Sequence, residues 1–191
     1  MDQNTLIASI KKVSARIPDE DIPLLVSCAR SRHLKKREAL LKEGEVCRGF
    51  YLVDQGYLRS WYDKGGVAIN LNFTLEGEFT TNIKSFNSRD GSEFTIEAGE
   101  DTSIWIFDLD VIRKEFDSHK QIILFIRRLA VHLYLASEEH SKLFKMYTPT
   151  ERYRYIEKNN PGLLQRISLS QIASYLGVTR ETLSRIRAKK Q

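Results

Sequence analysis

The spacing of apolar positions changes twice along the chain. "TLIASIKKV" sets Leu6, Ile7, Ile10 and Val13 at helical intervals, and after Pro18 a second amphipathic run covers Ile22 to Ala29, which predicts an opening helical pair. From about Arg32 to Phe107 the pattern becomes short runs rich in aromatic and β-branched residues, cut by glycines. "GFYLVDQGYLRSWY" and "VAINLNF" are strand-like, and "DKGG", Asp63 to Gly66, reads as the hairpin turn between them. In "VAINLNF", Val67, Ile69, Leu71 and Phe73 alternate with Ala68, Asn70 and Asn72, so the first set is expected to face the core. "FTIEA" and "TSIWIFDL" add two strands after a loop "SFNSRDGS". Many short strands with glycine turns predict an antiparallel sandwich or roll.

The third pattern is helical. A short turn from Asp108 or Leu109 through Phe116 precedes a long helix announced by the capping pair Ser118 and Gln121. Ile122, Ile126, Leu129, Leu133, Ala136, His140 and Leu143 recur at alternating spacings of four and three, a heptad seam, and Ile123, Ala130 and Tyr134 mark a second apolar face. A helix apolar on two sides has two partners: its own β-domain and a second copy of the chain across a two-fold axis. The seam is the expected dimer interface, with His140 as a polar register-setting residue; a helix buried inside a monomer is the alternative. "TPTE" then restarts a helix, Thr148 capping, Pro149 in the first turn and Glu151 closing the box. The break at Met146–Tyr147 gives three expected parts: 1–116, a β-roll with N-terminal helices; 117–147, the dimerisation helix; and 148–191.

Composition narrows the function classes. The protein has 191 residues, 41% hydrophobic and 29% charged, and no apolar run approaches the roughly 20 residues that span a bilayer. "MDQNTLIASIKKV" lacks the layout of an export signal, so no membrane contact and a cytoplasmic address are expected. Cys28 and Cys47 share no CxxC spacing, which argues for free thiols and against a disulfide framework or a zinc site. The net charge is +5, but nine bases against three acids lie from Thr148 onward, leaving the rest near neutrality. That asymmetry points to a polyanion partner for the C-terminal part alone.

"SLSQIASYLGVTRETLSRIRAKKQ" gives that partner a form. Ser168 with Gln171 starts a short helix, Gly177 lies just past its end, and Thr179 caps a second helix from Arg180. A small residue at 173, glycine at 177 and aliphatic Leu183 are spaced as in a helix-turn-helix. With Leu183 and Ile186 inward, Arg180, Glu181, Ser184 and Arg185 share the outer face. Arginine can donate twice to guanine, and glutamate can accept from cytosine. Ser168, Ser170, Thr179, Thr182 and Ser184 are hydroxyls suited to phosphates, with Arg187, Lys189 and Lys190 as point charges.

"ISLSQIASYLGVTRETLSRIR" resembles the DNA-reading end of the cyclic-AMP receptor/FNR (Crp/Fnr) family of bacterial transcription regulators. "LLKEGEVCRGFYLVDQGYLRSWY" is similar to the opening strands of that family's cyclic-nucleotide-binding β-roll, and the heptad helix takes the place of its dimer helix. The resemblance implies an α+β fold: an N-terminal antiparallel β-roll, a long dimerisation helix and a C-terminal winged helix-turn-helix. It implies a homodimer reading an inverted repeat in double-stranded DNA, with Arg180, Glu181 and Arg185 on the bases and RNA polymerase as a further partner.

Two departures from the family pattern carry expectations of their own. The family continues past its recognition helix into a β-hairpin wing, whereas this sequence stops at Gln191, so either any wing comes from the segment before Ser168 or the C-terminal pair of strands is missing. In the effector region, "LEGEF" matches a Gly-Glu turn, which would make Gly77 and Glu78 the ribose-binding pair. The family's Arg-Ser phosphate pair is replaced by Ser92 and Glu93, with Arg89 three residues early beside Asp90. A carboxylate facing a cyclic phosphate repels it, so Gly77, Glu78, Arg89, Ser92 and Glu93 form a candidate effector pocket that is not expected to take cyclic AMP. No cofactor, metal site or catalytic group is expected, because the sequence has no Ser/His/Asp order, metal-ligand cluster or phosphate-cradling glycine loop. The competing class is a small-molecule sensor or interaction module without specific DNA readout.

Overall fold

The computed structural model describes residues 3–15, 17–116 and 119–188; the Ser118 cap, Lys189 and Lys190 lie outside them. The chain divides into two compact units, Met1–Ser60 with Phe73–Leu135, and Trp61–Asn72 with Ala136–Gln191. The order is α1 (Gln3–Val13), α2 (Ile22–Ser27), β1 (Ala29–Leu34), β2 (Ala39–Leu41), β3 (Gly49–Gln55), β4 (Leu58–Asp63), β5 (Ala68–Thr74) and β6 (Phe79–Thr80). Then come α3 (Ile83–Ser88), β7 (Thr95–Ala98), β8 (Thr102–Asp108), α4 (Leu109–Phe116), α5 (Lys120–Met146), α6 (Pro149–Asn159), α7 (Pro161–Arg166), α8 (Leu169–Tyr175) and α9 (Arg180–Ala188). The fold is α+β, an antiparallel jelly-roll of two four-stranded sheets, β1-β8-β3-β6 and β2-β7-β4-β5, followed by helices.

In β3 the unbroken apolar run is buried on both faces. Phe50 and Leu52 join one cluster, with Phe79, Trp105 and Phe107, while Tyr51 and Val53 join another, with Leu34, Leu58, Ile96 and Ile104. Alternation along the strand splits its side chains between the two. The first cluster is closed by Leu6 and Ile10 of α1, Leu25 of α2, and Ile122, Phe125 and Leu129 of α5. The hairpin between β4 and β5 turns at Lys64–Val67, with Gly65 and Gly66 at φ of +63° and +88°, the region where glycine carries no side-chain penalty.

Several expectations need correction. The loop "SFNSRDGS" begins as α3: the Asn82 side chain accepts from the Ser85 N–H, and Phe86 packs on Phe50 at 4.9 Å. Along "VAINLNF" the expected faces are not kept, since Val67, in the turn before β5, is 59% exposed while Asn70 within the strand is 5% exposed. Asn70 is covered by α8, which a strand-by-strand reading cannot see. Of the two alternatives for the wing, the one before Ser168 is not formed, because that segment folds as α6 and α7.

The heptad seam also needs correction. Ile122 and Leu129 are 1% and 0% exposed inside the chain's own core, and Ile126 and Leu133 pack against the same cluster. Ala136 is exposed, whereas His140 and Leu143 turn toward the chain's own C-terminal helices. The large apolar side chains that α5 leaves open are Ile123, Leu124, Val131, Tyr134 and Leu135, with Phe144 and Met146 in its last turn. The chain's own core therefore takes Ile122, Ile126, Leu129 and Leu133 of the seam and Ala130 of the second face, while Ile123 and Tyr134 stay open.

Candidate nucleic-acid interface and effector region

The second unit is built around a small helical core of Leu143, Tyr153, Ile156, Leu163, Ile167, Ile172, Ala173, Leu176 and Leu183. Its start is the capping box read from "TPTE", with Thr148 and Glu151 bonded reciprocally. Ser168 caps α8 by accepting from the Gln171 N–H and also donates to the Gln171 side chain. Gly177 follows α8 at φ +67°, and Thr179 accepts from the Thr182 N–H at the start of α9. These local bonds form the turn that the sequence predicts between two helices.

The turn has an anchor that sequence spacing did not reveal. Arg152 donates to the Leu176 carbonyl at 2.6 Å and to the Tyr147 carbonyl at 3.2 Å, and its guanidinium lies 4.7 Å from the Phe144 ring centroid. A residue counted among the basic tail thus holds the protein's own backbone. His140, expected on a dimer seam, instead stacks on Tyr175 at 5.0 Å and meets Phe144 edge-on. Burial lowers the His140 pKa below its ordinary value and favours the neutral ring.

On α9, Leu183 is fully buried, while Arg180, Glu181, Ser184, Arg185 and Arg187 are exposed. The Glu181 carboxyl is held below the usual carboxylate range by a hydrogen bond from its own backbone, then by Thr179 and by the charges of Arg180 and Arg185. The face therefore offers two cationic forks around one ionised acceptor. Ser168 and Ser170 are exposed at the start of α8. Thr182 is half-buried and its hydroxyl lies 3.1 Å from that of Thr179, so these two hydroxyls serve the helix cap first.

Each of the five candidate effector residues is engaged by neighbours of its own. Gly77 and Glu78 belong to the turn before β6, where the Glu78 carboxylate accepts from the Leu75 N–H and Ser9 donates to the Gly77 carbonyl. The other three surround α3. Arg89 ends that helix in a left-handed conformation and donates to Asp110 at 2.9 Å. Buried Ser92 accepts from the Asn82 amide at 2.9 Å, and exposed Glu93 is paired with Lys84. Asn82, Lys84 and buried Ser85, which accepts from the Cys47 N–H, are the residues that the sequence reading missed here. The signal was the Asn82–Ser85 cap at the head of the supposed loop.

Cys28 and Cys47 are buried, and neither forms a disulfide among the described residues. Among the described residues no helix is long and apolar enough to cross a membrane.

Residues 31–119 match the family model of the cyclic nucleotide-binding domain. No curated protein matches the chain. Among solved structures, FixK2 from Bradyrhizobium japonicum is similar at 23% identity and a TM-score of 0.70, covering 84% of this chain and 83% of that one. The c-di-GMP responsive global regulator CLP of Xanthomonas campestris is 16% identical with a TM-score of 0.67, covering 91% of this chain and 92% of its own. A crp/fnr-family protein from Eubacterium rectale is 18% identical, with a TM-score of 0.64 over 92% of this chain and 84% of that one. Residues 31–119 thus resemble a cyclic nucleotide-binding domain, and the chain shares its fold with these three solved structures, one of them a crp/fnr-family protein.

Proposed function

We propose that this protein is a homodimeric, sequence-specific DNA-binding transcription regulator that works in the cytoplasm and acts on RNA polymerase rather than as an enzyme. The observation that carries this reading is the α9 face: Arg180, Glu181, Ser184 and Arg185 stand exposed together, while Leu183 anchors the helix in the core. Such a helix suits the major groove, where arginine and glutamate discriminate base edges. Two copies joined through the open face of α5 present two such helices about a two-fold axis, so the operator is an inverted repeat. Selection of bound sequences from random DNA should return half-sites whose centres lie about one helical turn, roughly 34 Å, apart. Asymmetric single sites alone would sink the dimeric reading.

The match over residues 31–119 favours an effector in the β-roll as well, and the competing reading keeps only that sensing role. Cyclic AMP does not suit this roll. Ser92 is committed to Asn82, Arg89 to Asp110, and Glu93, next to Ser92 in the chain, adds a carboxylate that is paired with Lys84. CLP answers to c-di-GMP, so a different effector is compatible with this fold. Ligand binding confined to the folded state raises stability by about 2.7 kcal/mol at a hundredfold excess over Kd, a shift of several degrees in a domain of this size. Thermal melting with millimolar cyclic AMP or cyclic GMP should show no such shift; a clear upward one would return the roll to nucleotide gating.

A further inference from the structure

α5 carries a histidine where it meets α8, and every residue concerned lies in the second unit, Trp61–Asn72 with Ala136–Gln191. The His140 ring stacks on Tyr175 of α8 at 5.0 Å between centroids and 23° between planes, and it meets Phe144 of its own helix edge-on at 5.1 Å. Its Nε2 is buried and has no hydrogen-bond partner among the described residues. In the neutral ring this nitrogen can stay bare. In the protonated ring it becomes an N–H with no acceptor to meet.

The groups around the ring offer an added proton no compensation. From α8 comes the Tyr175 ring, and from α6 the guanidinium of Arg152, 4.7 Å from the centroid of the same Phe144 that His140 touches. On α5 itself Glu138 and Glu139 are exposed, and Glu139 is paired with Lys142. An imidazolium here would be a second cation against Phe144, taken from water with no carboxylate to receive it. Attraction to the Tyr175 ring offsets part of that cost, but burial prevails and holds the His140 pKa below its ordinary value. The helix it seats has little order of its own: α8 is seven residues long, too short to persist without packing.

We propose that His140 is an acid-sensitive seat for the helix-turn-helix: the neutral ring holds α8 in place, and protonation releases α8 and with it the DNA-reading face. The seat rests on the DNA-reading role proposed above. Because burial lowers the pKa, the released state takes up the proton more readily than the seated one. The seated state therefore keeps its full advantage above about pH 6.5, the ordinary value for histidine, and loses it as pH falls below, by up to about tenfold per unit in each chain. A head ordered in advance avoids part of the ordering cost on binding, so operator affinity should fall with the seat.

The test follows two quantities in the full chain from pH 7.5 to 5: affinity for the selected operator, and hydrogen-exchange protection of the Leu176 amide relative to an unstructured peptide at the same pH. That amide closes the last turn of α8 by donating to the Ile172 carbonyl at 2.9 Å. Protection should fall with acid in the unaltered chain, approaching tenfold per unit, and operator affinity should fall with it. His140→Phe keeps a ring on Tyr175 that cannot take a proton, so both quantities should hold nearly level below pH 6.5. An equal acid loss of protection in His140→Phe overturns the seat, as does protection that is flat in the unaltered chain. The NMR titration of the His140 ring in the unaltered chain needs no variant: a midpoint below 6.5 supports the seat, and one at or above 6.5 overturns it. Protection that falls as expected while operator affinity changes alike in both chains overturns the coupling to DNA alone. A chain that selects no DNA sequence at neutral pH overturns the reading role, and the protection measurements then decide the seat by themselves.

Discussion

Replacing Val131 and Leu135 together with glutamate should turn the proposed dimer into a monomer of 22.2 kDa by light scattering and weaken operator binding by about a hundredfold or more. Both residues are more than half exposed on the face of α5 turned away from its own core, beside Ile123, Leu124 and Tyr134. An apolar strip of this kind on a helix asks for a partner, and carboxylates there would be desolvated without one. Two heads on one scaffold bind a repeated site with an effective concentration that a lone head lacks, which sets the size of the loss. Leu129→Glu separates this from simple unfolding. Leu129 is fully buried in the chain's own core, so that variant should lose its cooperative melt, whereas Val131→Glu with Leu135→Glu should keep it. A double variant that still scatters light as a dimer would place the interface elsewhere.

That prediction differs from the one the heptad alone suggests, and the difference marks where local pattern stops being informative. Spacing identifies Ile122, Ile126, Leu129 and Leu133 as an apolar line and Ile123, Ala130 and Tyr134 as another. Which line meets the roll depends on how α1, α2 and β8 close around the helix, and no repeat within α5 encodes that. Asn70 is a parallel case: alternation predicts it outside, and a helix more than a hundred residues later buries it. The helix-turn-helix was legible almost residue by residue, because its caps at Thr148, Ser168 and Thr179 and its turn at Gly177 are set by bonds a few residues long. Arg152 escaped because its partner, the Leu176 carbonyl, is 24 positions away. The neighbours of the effector region escaped for another reason. "LEGEF" is a turn whose glutamate bonds within its own three residues, and the actual neighbours of Ser92 are assembled by the cap of α3.

Arg180→Ala and Arg185→Ala should each weaken operator binding by about 1–3 kcal/mol and relax preference at particular base pairs, leaving binding to random DNA less affected. The two guanidinium groups flank the ionised Glu181 on an exposed face, and neither forms an ion pair among the described residues. Each is free to present its fork to a guanine, and removing it leaves base acceptors unpaired in a closed groove. Arg187, exposed one residue short of the end of α9, is placed to meet phosphate instead. Arg187→Ala should lower affinity for all sequences alike and reduce the slope of log affinity against log salt by about one, the contribution of a single neutralised phosphate. Binding titrations on operator and random duplexes at several salt concentrations distinguish the two roles. Equal losses on both duplexes for Arg180→Ala and Arg185→Ala would make those arginines phosphate contacts, and base selection would then have to come from Glu181, Ser184 or the shape of the DNA.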